Sequence, residues 1–348
     1  MRGVGIRAMA AAWVCLALSL GVACGGRDKG SPAASPSPST VTPAASATAT
    51  GTPGTVAPGP FTEVPRATPA PPGRGEPSGR IAFVSFRGGQ QEIYVVDAEG
   101  GDQRNLTNNG AADFDPDFSP DGSRIVFTSN RGGSADTYIM NADGSDVRRL
   151  TTGTGGISAK WSPDGSQIAF SRGGRLLLID EDGRNLTTVY GNDTRVPGVA
   201  CTGPAILGDW SPDGAWLVFY TADLQNDKSE ICVAATDGAD VRVVVKDPPG
   251  IHTEPNWSPD GTRIAIRSIR DGAHEIYVYD LATRTETKLT DNEALDAEPA
   301  WSPDSGWIAF VSDRDSLESD IYVMSADGSD VRRLTTDSAK DSFPTWAP

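Results

Sequence analysis

Residues 118–122 read Phe118-Ser119-Pro120-Asp121-Gly122. The string returns as Trp161-Ser162-Pro163-Asp164-Gly165, Trp210-Ser211-Pro212-Asp213-Gly214, Trp257-Ser258-Pro259-Asp260-Gly261, Trp301-Ser302-Pro303-Asp304-Ser305 and Trp346-Ala347-Pro348. The intervals are 43, 49, 47, 44 and 45 residues. A period in the forties, filled with short alternating strands, is the signature of a propeller blade.

Each unit reads alike. The turn leads into a strand such as Arg124-Ile-Val-Phe-Thr-Ser129 or Arg263-Ile-Ala-Ile-Arg-Ser268. A loop with Arg and Gly follows, then a third strand such as Glu275-Ile-Tyr-Val-Tyr279 or Asp320-Ile-Tyr-Val-Met324. An Asp-Gly turn then opens a short strand such as Val331-Arg-Arg-Leu-Thr335. β-branched and aromatic residues alternate between turn residues throughout, and no stretch keeps a helical period. The fold class is therefore all-β, a six-bladed β-propeller over 79–348.

These strings resemble the TolB-like propeller repeats, the family of the TolB translocation proteins. The resemblance covers all six units and rests on the Trp-Ser-Pro-Asp-Gly string and on Ile321-Tyr-Val-Met-Ser-Ala-Asp-Gly-Ser-Asp-Val-Arg-Arg-Leu-Thr335, with its counterpart Thr137-Tyr-Ile-Met-Asn-Ala-Asp-Gly-Ser-Asp-Val-Arg-Arg-Leu-Thr151. In that family an N-terminal α/β domain precedes the propeller, and a different segment stands in its place here. The chain ends imply closure. The domain opens at Arg80-Ile-Ala-Phe-Val84, which matches the second strand of a unit, and stops at Pro344-Thr-Trp346, which matches the first. Pairing the C-terminal strand into the first blade leaves the ring without a free edge.

Upstream, Arg2 and Arg7 precede an uncharged apolar run from Ala8 to Ala23, too short for a comfortable membrane span and shaped like a secretory signal peptide over 1–23. The run Leu20-Gly-Val-Ala-Cys24 resembles a lipoprotein signal in which Cys24 is lipidated. Gly21-Val22-Ala23 equally fits ordinary signal cleavage, so a secreted protein is the alternative. Residues 24–78 are rich in Pro, Ser, Thr, Ala and Gly, with 12 prolines from Arg27 to Ser78. So little apolar surface cannot offset the entropy of ordering, and the segment reads as a disordered tether. It would span about 40 Å as a coil and about 160 Å extended, at roughly 3.1 Å per residue. The expected location is outside the cytoplasm, on a membrane-anchored lipoprotein facing the periplasm or cell exterior.

The 348 residues carry a formal charge of −16, from 46 acidic and 30 basic side chains. Residues 1–78 hold six basic and three acidic groups, so the ring carries −19. That excess argues against nucleic acid as the partner, because phosphate binding needs clustered Lys and Arg. Two histidines, His252 and His274, cannot build a multi-histidine metal site. No Gly-x-Ser-x-Gly, His-Glu-x-x-His or phosphate-loop string occurs, so the chain does not read as an enzyme. The run Asp180-Glu181-Asp182-Gly183 lacks the later ligands of a calcium loop.

The loops entering the first strand of each unit carry a pattern. Five residues before the aromatic stand Asp113, Gly156, Ala205, His252, Asp296 and Asp341; three before stand Asp115, Ser158, Leu207, Glu254, Glu298 and Phe343. The polar and acidic ones belong to four blades that become neighbours when the ring closes. One side of the channel mouth is thus expected to be acidic. Asp113, Asp115, His252, Glu254, Asp296, Glu298 and Asp341 form the candidate binding cluster, suited to a cationic ligand, a basic peptide or a divalent cation. The opposing reading is internal pairing: Arg87, Arg131, Arg172, Arg270 and Arg314 occupy matching loops on the same face.

Cys201 lies in the longest connection between blades, roughly Gly191 to Gly208, and Cys232 replaces the tyrosine seen at Tyr94, Tyr138, Tyr277 and Tyr322. Both fall in one region of one blade, which predicts a disulfide pinning that loop. Closing about 31 residues stabilises by roughly 3–4 kcal/mol in the loop-entropy treatment. The reading as a whole is a monomeric binding scaffold in the cell envelope, for protein, peptide or glycan. The competing class is an enzyme acting on carbohydrate or peptide through the acidic mouth.

Overall fold

The computed structural model describes residues 75–153, 155–191, 201, 203–223, 228–245, 250–270 and 272–348. The expected signal peptide, Cys24 and nearly all of the expected tether lie outside the described residues. The described chain forms six four-stranded antiparallel sheets and no helix. Each sheet is a blade, numbered here in chain order. The inner strands are Asp341–Trp346 for blade 1, Asp113–Phe118 for blade 2 and Ile157–Trp161 for blade 3. Blades 4, 5 and 6 use Ala205–Trp210, Ile251–Trp257 and Asp296–Trp301. These strands touch one another in cyclic order and line the axis.

Closure follows the predicted route. The C-terminal strand Asp341–Trp346 pairs antiparallel with Arg80–Ser85, bringing Trp346 opposite Ile81 and Asp341 opposite Ser85. Blade 1 is therefore built from the first and last strands of the propeller. The contacts of the ring reach upstream into the segment expected as tether. The indole Nε1 of Trp307 donates to the Gly75 carbonyl at 3.1 Å, that of Trp346 to Ser78 at 2.9 Å, and Glu76 pairs with Arg332.

The repeated turn is explained by its own hydrogen bonds. Ser119 donates its hydroxyl to Asp121 at 2.6 Å, Asp121 accepts the Ser123 amide, and the Arg124 amide donates back to Ser119. Gly122 takes a φ of 67°, which a side chain resists. The Leu-Thr pair of the outer strand also has a reason. Thr107, Thr151, Thr290 and Thr335 accept the amides of Ile93, Thr137, Ile276 and Ile321 at 2.8–3.0 Å. The same hydroxyls donate to Glu92, Asp136, Glu275 and Asp320, buried acids at or near the start of the third strands.

The core is six clusters, each lying between two neighbouring blades. Every blade buries both faces, so no blade is stable without the next. Cys201 and Cys232 are joined, with Cα atoms 6.3 Å apart, and Tyr190 donates its hydroxyl to the Cys201 carbonyl. The disulfide therefore ties the start of blade 4 to its third strand, as its position in the sequence predicts.

Candidate functional site

The candidate residues separate into two groups at different depths. Asp113, Asp296 and Asp341, five before the aromatic, are fully buried. Each is held by its own blade's loop arginine: Arg131 at 2.9 Å, Arg314 at 2.9 Å and Arg87 at 3.1 Å. Those guanidiniums also lie over aromatic rings, Arg131 on Phe127 and Tyr138, Arg314 on Phe310 and Tyr322, Arg87 on Phe83 and Tyr94. These three acids are internally paired, the opposing reading of the sequence pattern. His252 is buried as well, its amide donating to the Ser229 hydroxyl.

Asp115, Glu254 and Glu298, three before the aromatic, stand half-buried on the channel wall. The local backbone explains why. The inner strands bulge here, so the position takes a left-handed φ of 52° at Asp115, 55° at Glu254 and 54° at Glu298. Pro116, Pro255 and Pro299 follow directly. The bulge leaves an amide unpaired in the ladder, and a carboxylate from the preceding blade accepts it. Asp115 takes the Ser158 amide at 3.2 Å, Glu254 that of Glu298 at 2.8 Å, and Glu298 that of Phe343 at 2.5 Å. The carboxylates thus link neighbouring blades around the axis.

A second belt, one residue before the aromatic, carries groups that the sequence pattern did not single out. Asp117 accepts the Trp161 amide at 2.9 Å, the Lys160 ammonium at 3.1 Å and the Thr345 hydroxyl at 3.2 Å. Asp209 accepts from Asn256 and from the Trp257 amide, and Asn256 accepts the Trp301 amide. Counting back one position instead of three would have exposed this belt. Arg267, on the second strand of blade 5, was also missed; it pairs with Glu254 at 3.0 Å.

The channel is electrostatically loaded. Five carboxylates, Asp115, Asp117, Asp209, Glu254 and Glu298, interact with three cations, Lys160, Arg267 and Lys340. Burial raises the Asp115 carboxyl to about 6 against the Ser158 amide that lowers it. Burial raises Asp209 to about 7, with Lys160 opposing and Asp117 assisting. Burial and then the neighbouring Glu254 carboxylate raise Glu298 to about 8. Burial disfavours the Lys160 ammonium, but Asp117 and Asp209 outweigh it and hold the group above its usual value. Near neutral pH part of this acidity is stored as protonated carboxyls.

The TolB beta propeller domain family matches this chain over residues 62–175 and 171–348. An uncharacterised protein of Agrobacterium fabrum is 31% identical over 54% of this chain and 61% of its own length. The Tol-Pal system protein TolB of Anaeromyxobacter dehalogenans is 32% identical over 49% of this chain and 37% of its own. Each match therefore spans less than two thirds of the relative. The crystal structure of TolB from Acinetobacter baumannii superposes with a TM-score of 0.68 at 20% identity, over 79% of this chain and 68% of that one, a likeness of fold.

Proposed function

This chain belongs to the TolB beta propeller domain family, and we propose that it is an envelope scaffold that grips a basic segment of a protein partner in its channel. The observation carrying this reading is the carboxylate set Asp115, Glu254 and Glu298 on the channel wall, exposed in part and linked across blades. A Lys or Arg side chain inserted there would meet concentrated negative potential in a low-dielectric setting. It would also offset the burial, and after it the neighbouring Glu254 carboxylate, that raise Glu298.

The buried acids Asp113, Asp296 and Asp341 and His252 support the mouth from behind. Their arginine partners and burial leave them unavailable to a ligand. In this reading Cys24 carries the lipid anchor and residues 24–74 hold the ring away from the membrane. The contacts of Gly75, Glu76 and Ser78 bring the tether in beside Trp307 and Arg332 of blade 6 and Trp346 of blade 1, on the side of the ring where the inner strands lead into the repeated turn. The loops entering the inner strands lie at the opposite end of those strands, so the acidic mouth is on the other face of the ring from Gly75.

Calorimetric titration with oligolysine, and separately with calcium chloride, tests the site. Gln in place of Glu254 and Glu298 keeps an oxygen to accept the bulge amides, so the double variant E254Q/E298Q folds. The parent is expected to bind oligolysine, and the double variant to bind at least about tenfold more weakly, the loss of roughly 1.4 kcal/mol. Equal binding by both proteins, or none by the parent, overturns the reading. Heat from calcium alone assigns the site to a divalent cation instead.

A further inference from the structure

A cleft of about 330 Å³ opens between blades 3 and 4 on the face of the Ser-Pro-Asp-Gly turns, remote from the acidic mouth. That volume sits at the lower end of ligand clefts, roughly 300–1,000 Å³. Trp210, Gln167, Thr236, Asp164 and Asp213 are among its walls. Its origin lies in one residue of the repeat, the first of each second strand.

In blade 2 that residue is Arg124, opposite Asn141 in the register. Its guanidinium lies 4.7 Å from the ring centroid of Trp161 in blade 3 and pairs with Glu181 at 2.7 Å. In blade 5 it is Arg263, opposite Asp280, stacked 4.4 Å from the ring of Trp301 in blade 6. In blades 4 and 6 an indole takes the place: Trp216 and Trp307, each under an outer-strand arginine, Arg242 and Arg332. In blade 3 the residue is Gln167, opposite Asp180. Its amide turns back into its own blade and donates to Asp180 at 3.2 Å. The residue at the place of Glu181 is Thr236, following Ala235 as Glu181 follows Asp180. Both halves of the internal arginine–glutamate pair are thus missing where the cleft opens, while the Trp210 ring and the two turn carboxylates remain.

We infer that this cleft receives the guanidinium of an arginine side chain from a partner polypeptide, stacked on Trp210 between Asp164 and Asp213 as Arg124 is stacked on Trp161. Planar guanidinium over an indole is a favourable pairing, and carboxylates at the rim supply charge that a neutral ligand cannot use. Asp164 stays ionised there, held below the usual carboxylate range by hydrogen bonds from Ser162 and Ser166. The site is independent of the channel and lies on the other face of the ring.

The test follows the indole Nε1–H resonance of Trp210 in the full chain, assigned with Trp210→Phe. N-acetyl-arginine methylamide and its neutral isostere N-acetyl-citrulline methylamide are titrated in turn. The arginine compound is expected to shift the resonance saturably, with an affinity at least about tenfold above citrulline. Q167R/T236E, which rebuilds the blade 2–3 arrangement within the chain, is expected to lose the saturable shift. E254Q/E298Q is expected to keep it, separating this site from the channel. No saturable shift in the parent, equal shifts with arginine and citrulline, or undiminished binding by Q167R/T236E overturns the inference. The arginine–citrulline comparison on the parent decides the matter even if Q167R/T236E does not fold.

Discussion

Asp117 shows how a single side chain can join blades that are distant in sequence. It accepts a backbone amide from blade 3, an ammonium from blade 3 and a hydroxyl from blade 1. Asp117→Ala leaves all three donors without this acceptor in a half-buried setting, a cost of about 2–3 kcal/mol. Asp117→Asn keeps an oxygen for the Trp161 amide and is expected to lose about half as much. Urea unfolding followed by tryptophan fluorescence reads both, and an unchanged midpoint for Asp117→Ala contradicts the role assigned to the belt. Residues of this kind are hard to read in sequence because their meaning depends on the bulge. The same residue type five before the aromatic is buried under an arginine, and three before it stands on the channel wall. A period-two reading of a strand places both on one face; the left-handed φ of the second of them, at Asp115, Glu254 and Glu298, sends the two to different environments. Gly208 marks the same crowding: a Cβ there would meet the Pro255 carbonyl of the next blade at 2.1 Å.

The elements themselves were almost fully legible. The recurrence of the Ser-Pro-Asp-Gly turn set the number of blades, and the mismatch between the chain ends set the closing strand. The legibility comes from local chemistry, since each turn satisfies its own hydrogen bonds within five residues. The latch formed by Gly75, Glu76 and Ser78 was not legible, because its partners Trp307, Arg332 and Trp346 lie more than 200 residues away. Closure makes a sharp prediction. Removing residues 342–348 deletes a strand that is buried from both sides and exposes the edge of Arg80–Ser85. The melting temperature is expected to fall by about 10 °C or more. A truncated ring melting with the parent would contradict closure.

For the whole molecule, the acidity that dominates the composition has three fates. Part is neutralised inside the blades by arginine, as at Asp113, Asp296 and Asp341. Part caps the turns, where hydrogen bonds from Ser119 and Ser123 lower Asp121 to about 2. Part is held on the channel wall, raised to about 6 at Asp115, 7 at Asp209 and 8 at Glu298. The signs follow. In the unfolded chain such carboxyls lose their protons near about pH 4. In the ring the channel carboxyls keep them longer, so between about pH 4 and 8 these groups bind more protons in the folded state than in the unfolded one, and their contribution to stability falls as pH rises. The turn carboxylates act oppositely: their contribution is present above about pH 4 and is lost as pH falls toward 2. The same stored protons couple to the channel's proposed ligand. Oligolysine is titrated into the parent by calorimetry near about pH 7, in two buffers of different ionisation enthalpy. A cation held by Glu254, Glu298 and Asp115 must be accompanied by release of the order of one proton per peptide bound, read from the difference in heat between the buffers. Binding with no proton release, or no binding, would contradict a channel that grips basic segments through these carboxylates.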